Sequence, residues 1–468
     1  MIKALFLLVL IFSVHSLQAD PPKPLKGSWN SVGLKMNTAP HEDIPDVIEI
    51  TKGQIKPTPI AIPTFLGDTE FSEKITEVIT NDLAMCGRFQ IIDKQAFIQD
   101  ATSVHENVRF SDWRVINSQI LLIGKVEQNG SKITVQFKIY DVLKGTLLRG
   151  IVLSTEEGKW RKLAHMVADV VYERVTGDAG FFDSQIVFID EQGYGKSKKK
   201  CLSIMDIDGH NVVYLTDGRN LVLTPRFSPS THHIAYLGYK KNSAGVYLMD
   251  IRTRETRLLG EFQGMTFAPR FSPDGSTVVM SLSKNGTTAL YTYNITTKET
   301  RPLTQHGQID TSPCYSPDGQ YIVFTSDRNG NIEKLFIMRS DGSGVTQISQ
   351  GPGKYSQPVW SPRGDIIAFS KQIGGRFYLG VMNIDGSSER LIDEGYLIEG
   401  AAWSPNGRYI TYTRESTPGR DGRSRSQLCC MDLTGLVKID LKTPHNASDP
   451  AWSPLLSAVS VRDRVPAV

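Results

Sequence analysis

The sequence predicts a small α/β N-terminal domain followed by an all-β six-bladed propeller, and three observations predict it. Ser-Pro recurs at 228–229, 272–273, 316–317, 361–362, 404–405 and 453–454, at spacings of 43 to 49 residues. Four short apolar runs fill each interval, which is one blade's worth of strands. Before the repeats, from about Val47 to Gly177, strand-like alternation is interleaved with two amphipathic helical patterns.

Taken in order, the chain opens with Lys3 and the apolar run "ALFLLVLIFSV" (4–14), then "SLQA". Residues 1–19 read as a secretory signal, too short to span a bilayer, with cleavage after Ala19. Residues 20–46 hold prolines at 21, 22, 24, 40 and 45 and few large apolar side chains, as expected of a flexible arm. The α/β domain is expected over 47–178. "PIAIPTFLG" is a strand; "FSEKITEVITNDLAMCGRF" places Ile75, Val78, Ile79 and Leu83 on one helical face. "FQII" and "QILLIGKVEQ" read as strands, Asn129-Gly130 as a hairpin turn, and Ile133, Val135, Phe137 and Ile139 alternate strictly beyond it. "TLLRGIVLS" follows as a strand. The second helix uses Trp160, Leu163, Val167 and Val171 and ends at Gly177, a left-handed cap.

The propeller is expected over 181–458, with 459–468 as a tail. After each Ser-Pro the turns read "SPST", "SPDG", "SPDG", "SPRG", "SPNG" and "SPLL". Pro presets φ, Asp or Asn tolerates the next position, and Gly permits the reversal. The following strands are "HIAYLG", "TVVMSL", "YIVFTS", "IIAFSK" and "YITYTR", with "QIVFID" at 185–190 preceding the first Ser-Pro. The chain therefore enters on the second strand of a blade and closes on a first-type strand, "DPAWSP". The C-terminal strand is expected to complete the entry blade and close the ring without a free edge. A solenoid would need polar capping repeats and has no use for a borrowed last strand.

In 468 residues, 40% are hydrophobic and 9% aromatic, and the formal net charge is +3. The balance gives no electrostatic footprint for nucleic acid or an acidic membrane. Five cysteines (Cys86, Cys201, Cys314, Cys429, Cys430) lie in or beside apolar runs without C-x-x-C spacing, and read as small buried hydrophobes. A bridge among them is left open, because spacing does not encode connectivity.

Chemistry is sparse. G-x-S-x-G, which a serine hydrolase with a propeller would carry, is absent. The residues preceding the innermost strands' prolines, or their equivalent, are Thr224, Ala268, Ser312, Gln357, Gly400 and Asp449. One carboxylate in six positions makes no hard-cation cage. His306 and His445 are lone loop histidines, and "DIDG" (206–209) lacks the bidentate Glu of a calcium loop. "KSKKK" (196–200) and "RESTPGRDGRSR" (414–425) read as solvated loops. No catalytic residue, metal or cofactor is expected.

The linked order "QNGSKITVQFKIYDVLKG", the Trp160 helix, "VTGDAGFFDSQIVFID" and then blades of the WD40-like PD40 type resembles the TolB family, the periplasmic propeller proteins of the Tol–Pal system. The resemblance covers about Val47 to Leu455. It implies a monomeric, non-catalytic periplasmic binding protein that supports envelope integrity during division. A Pal-type peptidoglycan-associated lipoprotein would dock on the loops entering the innermost strands, which contain Met265, Thr266, Thr311, Ser312, Ser356, Gln357 and Asp449. A TolA-type inner-membrane protein would engage the strand "DVIEITKG", with Val47, Ile48, Glu49, Ile50 and Thr51, by strand addition. A propeller hydrolase with an unrecognised channel site and a glycan-binding module stand as alternatives.

Overall fold

The computed structural model describes residues 56–67, 69–229, 232–240, 243–262 and 266–455. The expected signal, arm, TolA-type strand (Val47, Ile48, Glu49, Ile50, Thr51), Met265 and the tail lie outside the described residues. Among the described residues no helix is long and apolar enough to cross a membrane.

The N-terminal sheet runs β3 (Phe89–Ile91), β1 (Thr58–Ala61), β4 (Ile120–Asn129), β5 (Lys132–Asp141), β6 (Thr146–Glu156), with β2 (Leu66–Gly67) also on β4. β1 is parallel to both neighbours, whereas β4, β5 and β6 are antiparallel. Helices α1 (Thr69–Met85) and α4 (Trp160–Thr176) bury Ile75, Ile79, Leu83, Leu163, Val167 and Val171 against Ile133, Val135, Phe137 and Ile139. Two short helices absent from the sequence reading, α2 (Ala101–Glu106) and α3 (Phe110–Val115), build a second cluster of Val104 and Trp113 on Leu121 and Ile123. The two layers explain why β4 is a continuous apolar run while β5 alternates: β4 is buried on both faces. Gly177 closes α4 at φ +77°, its N–H donating to Glu173 O at 2.9 Å.

Six four-stranded antiparallel sheets follow. Their innermost strands are Leu221–Phe227, Thr266–Phe271, Asp310–Tyr315, Lys354–Trp360 and Leu397–Trp403 in blades 1 to 5, and Asn446–Trp452 in the closing blade. That last strand pairs with β7 (Gln185–Gln192), which continues into β8 (Lys199–Asp206) and β9 (Val213–Tyr214). Ser453 and Gln185 exchange hydrogen bonds of 2.8 and 2.9 Å, and Trp452 Nε1 donates to Ser184 Oγ at 2.7 Å. The ring is thus closed by the C-terminal strand, as the repeat count requires.

The Ser-Pro turns at Ser272, Ser316 and Ser404 work through the serine hydroxyl. In blade 3, Ser316 N donates to Tyr321 O (2.8 Å), Tyr321 N donates back to Ser316 Oγ (2.9 Å), and Ser316 Oγ donates to Asp318 Oδ1 (2.5 Å). The serine hydroxyl lowers the Asp318 carboxyl below its ordinary value. Serine is required because it must both donate and accept at one buried point.

The two domains share one core. Phe181 and Phe182 are buried among Tyr172, Tyr409 and Trp452, with Phe181 stacked on Tyr409 at 4.6 Å. Tyr409 Oη donates to Cys86 O at 2.7 Å, and Arg408 Nη2 to Asp178 Oδ1 at 2.7 Å. All five cysteines are free and buried, as their apolar settings predicted.

Candidate functional site: the bulge ring

In every innermost strand the register slips at one place. Thr224-Pro225 stand opposite Tyr236 alone, and Ala268-Pro269 opposite Met280. Ser312-Pro313 face Phe324, and Gln357-Pro358 face Phe369. Gly400-Ala401 face Tyr412, and Asp449-Pro450 face Phe188. These are β-bulges, two residues against one. The lone opposing residue is large and buried in all six blades. In five of the six bulges the second residue is proline, which has no N–H and so leaves no donor unpaired; blade 5 has Ala401 there.

The first bulge residue is left-handed: φ is +46° at Thr224, +53° at Ser312, +51° at Gln357, +69° at Gly400 and +53° at Asp449. Gly400 adopts this freely, but a β-branched threonine does so against steric cost. Non-glycine residues held this way mark positions whose side chain is wanted. The ring is knitted blade to blade. Gly400 N donates to Gln357 Oε1 (2.7 Å), Thr224 N to Asp449 Oδ2 (3.4 Å), and Asp449 N to Thr413 Oγ1 (3.0 Å).

The sequence reading placed the docking residues in loops. The structure instead puts Thr311, Ser312, Ser356, Gln357 and Asp449 within the innermost strands, all half-buried, with Ser312, Gln357 and Asp449 on the bulges themselves. Thr266 begins its strand opposite Leu282. An X-Pro dipeptide reads as a loop in sequence, but a bulge lets it stay inside a ladder.

Charge is unevenly distributed around this ring. Beside the bulges of blade 5 and the closing blade, Glu399 is pushed up to about 8 by burial and by Asp449. Glu191, in the same blade as Asp449, is 5% exposed and pairs with Lys198 and with Lys200 at 2.8 Å. Burial would depress Lys200, yet Glu191, Asp449 and Glu399 hold it above its ordinary value. The basic run at 196–200 is therefore not wholly solvated: Lys200 is half-buried on Glu191. Arg423 of the other basic loop lies over the Tyr194 ring at 4.4 Å. On blades 1 and 2, Arg226 and Arg270 follow the bulge prolines, with no carboxylate in ion-pair range among the described residues.

A second polar cluster lies at the domain junction. His165 Nδ1 is 2.7 Å from Asp82 Oδ2, and its Nε2 is 3.7 Å from Asp206 Oδ2. Arg161 pairs with Asp206 at 3.3 Å and with Asp208. Burial alone would depress the imidazole, but Asp82 and Asp206 outweigh it and raise His165 to about 10. His165, Asp206 and Asp208 have ligand atoms close enough to share an ion. The Arg161 guanidinium already occupies the cation's place between the two carboxylates, so the donor set is spent. "DIDG" is a turn, as its composition indicated, with Gly209 N donating to Asp206 O at 3.0 Å. Its role in joining the domains was invisible in one segment of sequence.

His306 bridges Thr287 Oγ1 and Tyr291 Oη at 3.1 Å each, and His445 Nδ1 lies 3.1 Å from Asp190. Both are accounted for by local bonds.

Comparison with known proteins agrees with this architecture. The family model described as the TolB beta propeller domain matches residues 172–456, and that of the TolB amino-terminal domain matches 46–148. The chain is 50% identical over 416 residues to the Tol-Pal system protein TolB of Paramagnetospirillum magneticum, covering 87% of this chain and 93% of that one. It is 39% identical over 413 residues to the protein of the same name from Gluconobacter oxydans, covering 88% and 89%. The crystal structure of TolB from Acinetobacter baumannii superposes with a TM-score of 0.78 at 26% identity, over 85% of this chain and 97% of that one. By its two domains, their order and these relatives, the chain belongs to the TolB family.

Proposed function

We propose that this protein is a non-catalytic, periplasmic protein-binding scaffold of the Tol–Pal system. A Pal-type lipoprotein docks over the bulge ring, and a TolA-type inner-membrane protein engages Val47, Ile48, Glu49, Ile50 and Thr51, supporting envelope integrity and constriction during division. The observation that carries the reading is the repeated bulge: left-handed, mostly non-glycine residues at the same position around the ring. A ring that carries polar side chains at four of its six bulges (Thr224, Ser312, Gln357, Asp449) on a fixed backbone suits recognition of a protein surface, because little conformational entropy remains to be lost on contact. The relatives' name, Tol-Pal system protein TolB, points to the same system.

The ring also disfavours a hydrolase. Its one bulge carboxylate, Asp449, is engaged with Thr224 N, and Gln357 with Gly400 N. No base–nucleophile pair stands among the described bulge residues. Thr311→Trp tests the docking site: the indole should overhang the bulge and weaken Pal affinity by about a hundredfold or more, in the range of a lost hot spot, with an unchanged melting profile. Unaltered affinity would move the interface off the ring. Removing residues 20–53 should abolish TolA contact and leave Pal binding intact or tighter; loss of both would contradict the assignment of two separate sites.

A further inference from the structure

The six positions following the bulge proline, or its equivalent, are Arg226, Arg270, Cys314, Val359, Ala402 and Ala451. Four are small or apolar, and two adjacent ones are arginine. Arg226 is 8% exposed and Arg270 half-buried. Arg226 Nη1 donates to its neighbour's carbonyl, Pro225 O, at 2.7 Å. The Nε atoms of both arginines are buried without a hydrogen-bond partner among the described residues, and so is the Thr224 hydroxyl on the blade 1 bulge. Neither arginine has a carboxylate in ion-pair range there. Asp449, the carboxylate that acts on Arg226, is engaged by Thr224 N.

Two like charges on the innermost strands of adjacent blades, one of them buried and both short of acceptors, are a costly arrangement. Burial and the Arg270 charge together pull the Arg226 guanidinium down to about 9, a large displacement for arginine. Natural sequences abandon such pairs unless something neutralises them, and the other four blades show that an apolar side chain fits this position. Guanidinium forks match planar or tetrahedral oxyanions through paired N–H donors.

We propose that Arg226 and Arg270 form an anion site on the innermost strands of blades 1 and 2, which takes one oxyanion of the phosphate or carboxylate class. The oxyanion comes either from a free periplasmic anion such as inorganic phosphate or from an acidic side chain of a docked protein.

The test uses the exported chain without any partner, titrated with inorganic phosphate at fixed ionic strength while the thermal midpoint is followed. A ligand bound only by the folded state should raise the midpoint by about 3 °C across a roughly hundredfold excess over Kd. Arg226→Met should raise the phosphate-free midpoint and remove the response. Arg270→Lys, at the less buried position, keeps the charge but loses the fork, and should weaken phosphate binding about tenfold. Arg270→Met should abolish it, and carries the test if the Arg226 variant does not fold. A parent midpoint indifferent to phosphate, or a parent-like response in Arg270→Met, overturns the site. Repeating Pal binding with saturating phosphate then separates the sources: competition assigns the oxyanion to the partner's side chain, and unchanged affinity assigns it to the free anion. The first arm contains no Pal, so its failure leaves the docking reading standing, and failure of Thr311→Trp leaves this one.

Discussion

His165 shows how a single side chain can fasten two domains. Its ring lies between Asp82 of α1 and Asp206 at the end of β8, buried on all sides. The imidazole is raised above its ordinary 6.5 to about 10. A raised folded value means its stabilisation is fully present below pH 6.5 and is lost as pH climbs through 10. The thermal midpoint should fall over that alkaline window. His165→Gln should flatten the fall and cost about 3 kcal/mol at neutral pH, because Asp82 is left buried and unpaired. A variant with an unaltered alkaline slope would assign the loss to other groups. Ser312 makes the opposite case. Its φ of +53° costs about 1 kcal/mol relative to glycine, so Ser312→Gly should raise stability by that amount while lowering Pal affinity. A gain in both would mean that the hydroxyl contributes nothing to recognition.

At the level of the element, the innermost strand is a ladder built around an insertion. Its bulge is held by the large residue opposite, Phe324 in blade 3 and Phe369 in blade 4, each with no exposed surface. Phe324→Ala should cost about 3–5 kcal/mol and collapse the bulge onto the cavity. Denaturant unfolding measures the first effect; loss of Pal affinity without global unfolding reports the second. A cost below about 1 kcal/mol would show that the bulge supports itself. In the sequence these phenylalanines read only as strand centres, and X-Pro read as a loop. The bulge emerges once a proline must lie inside an otherwise paired strand, a condition that single-strand patterning does not contain.

Across the whole molecule, the ring closes through one strand. Asn446–Trp452 completes the closing blade, and Trp452 also joins the aromatic cluster that seats the N-terminal domain. Removing residues 446–468 therefore exposes the edge of β7 and opens the shared core at once. Calorimetry of the shortened chain should show a broader, less cooperative loss of signal than that of the parent, and Pal binding should disappear. A truncated protein that melts sharply and binds normally would overturn the closed ring as the basis of docking.

The sequence by itself determined the local grammar of this protein. Ser-Pro turns, period-two strands and the Gly177 cap are set by neighbours within a few residues, where φ preference and side-chain alternation act, and the borrowed last strand follows from the repeat count. The blade count and domain order follow from repetition of that grammar. Only the tertiary structure decided what meets across blades and domains: Arg226 beside Arg270, Glu399 beside Asp449, and His165 between Asp82 and Asp206. Those pairings depend on burial and through-space charge, which grow with proximity and desolvation rather than with separation along the chain.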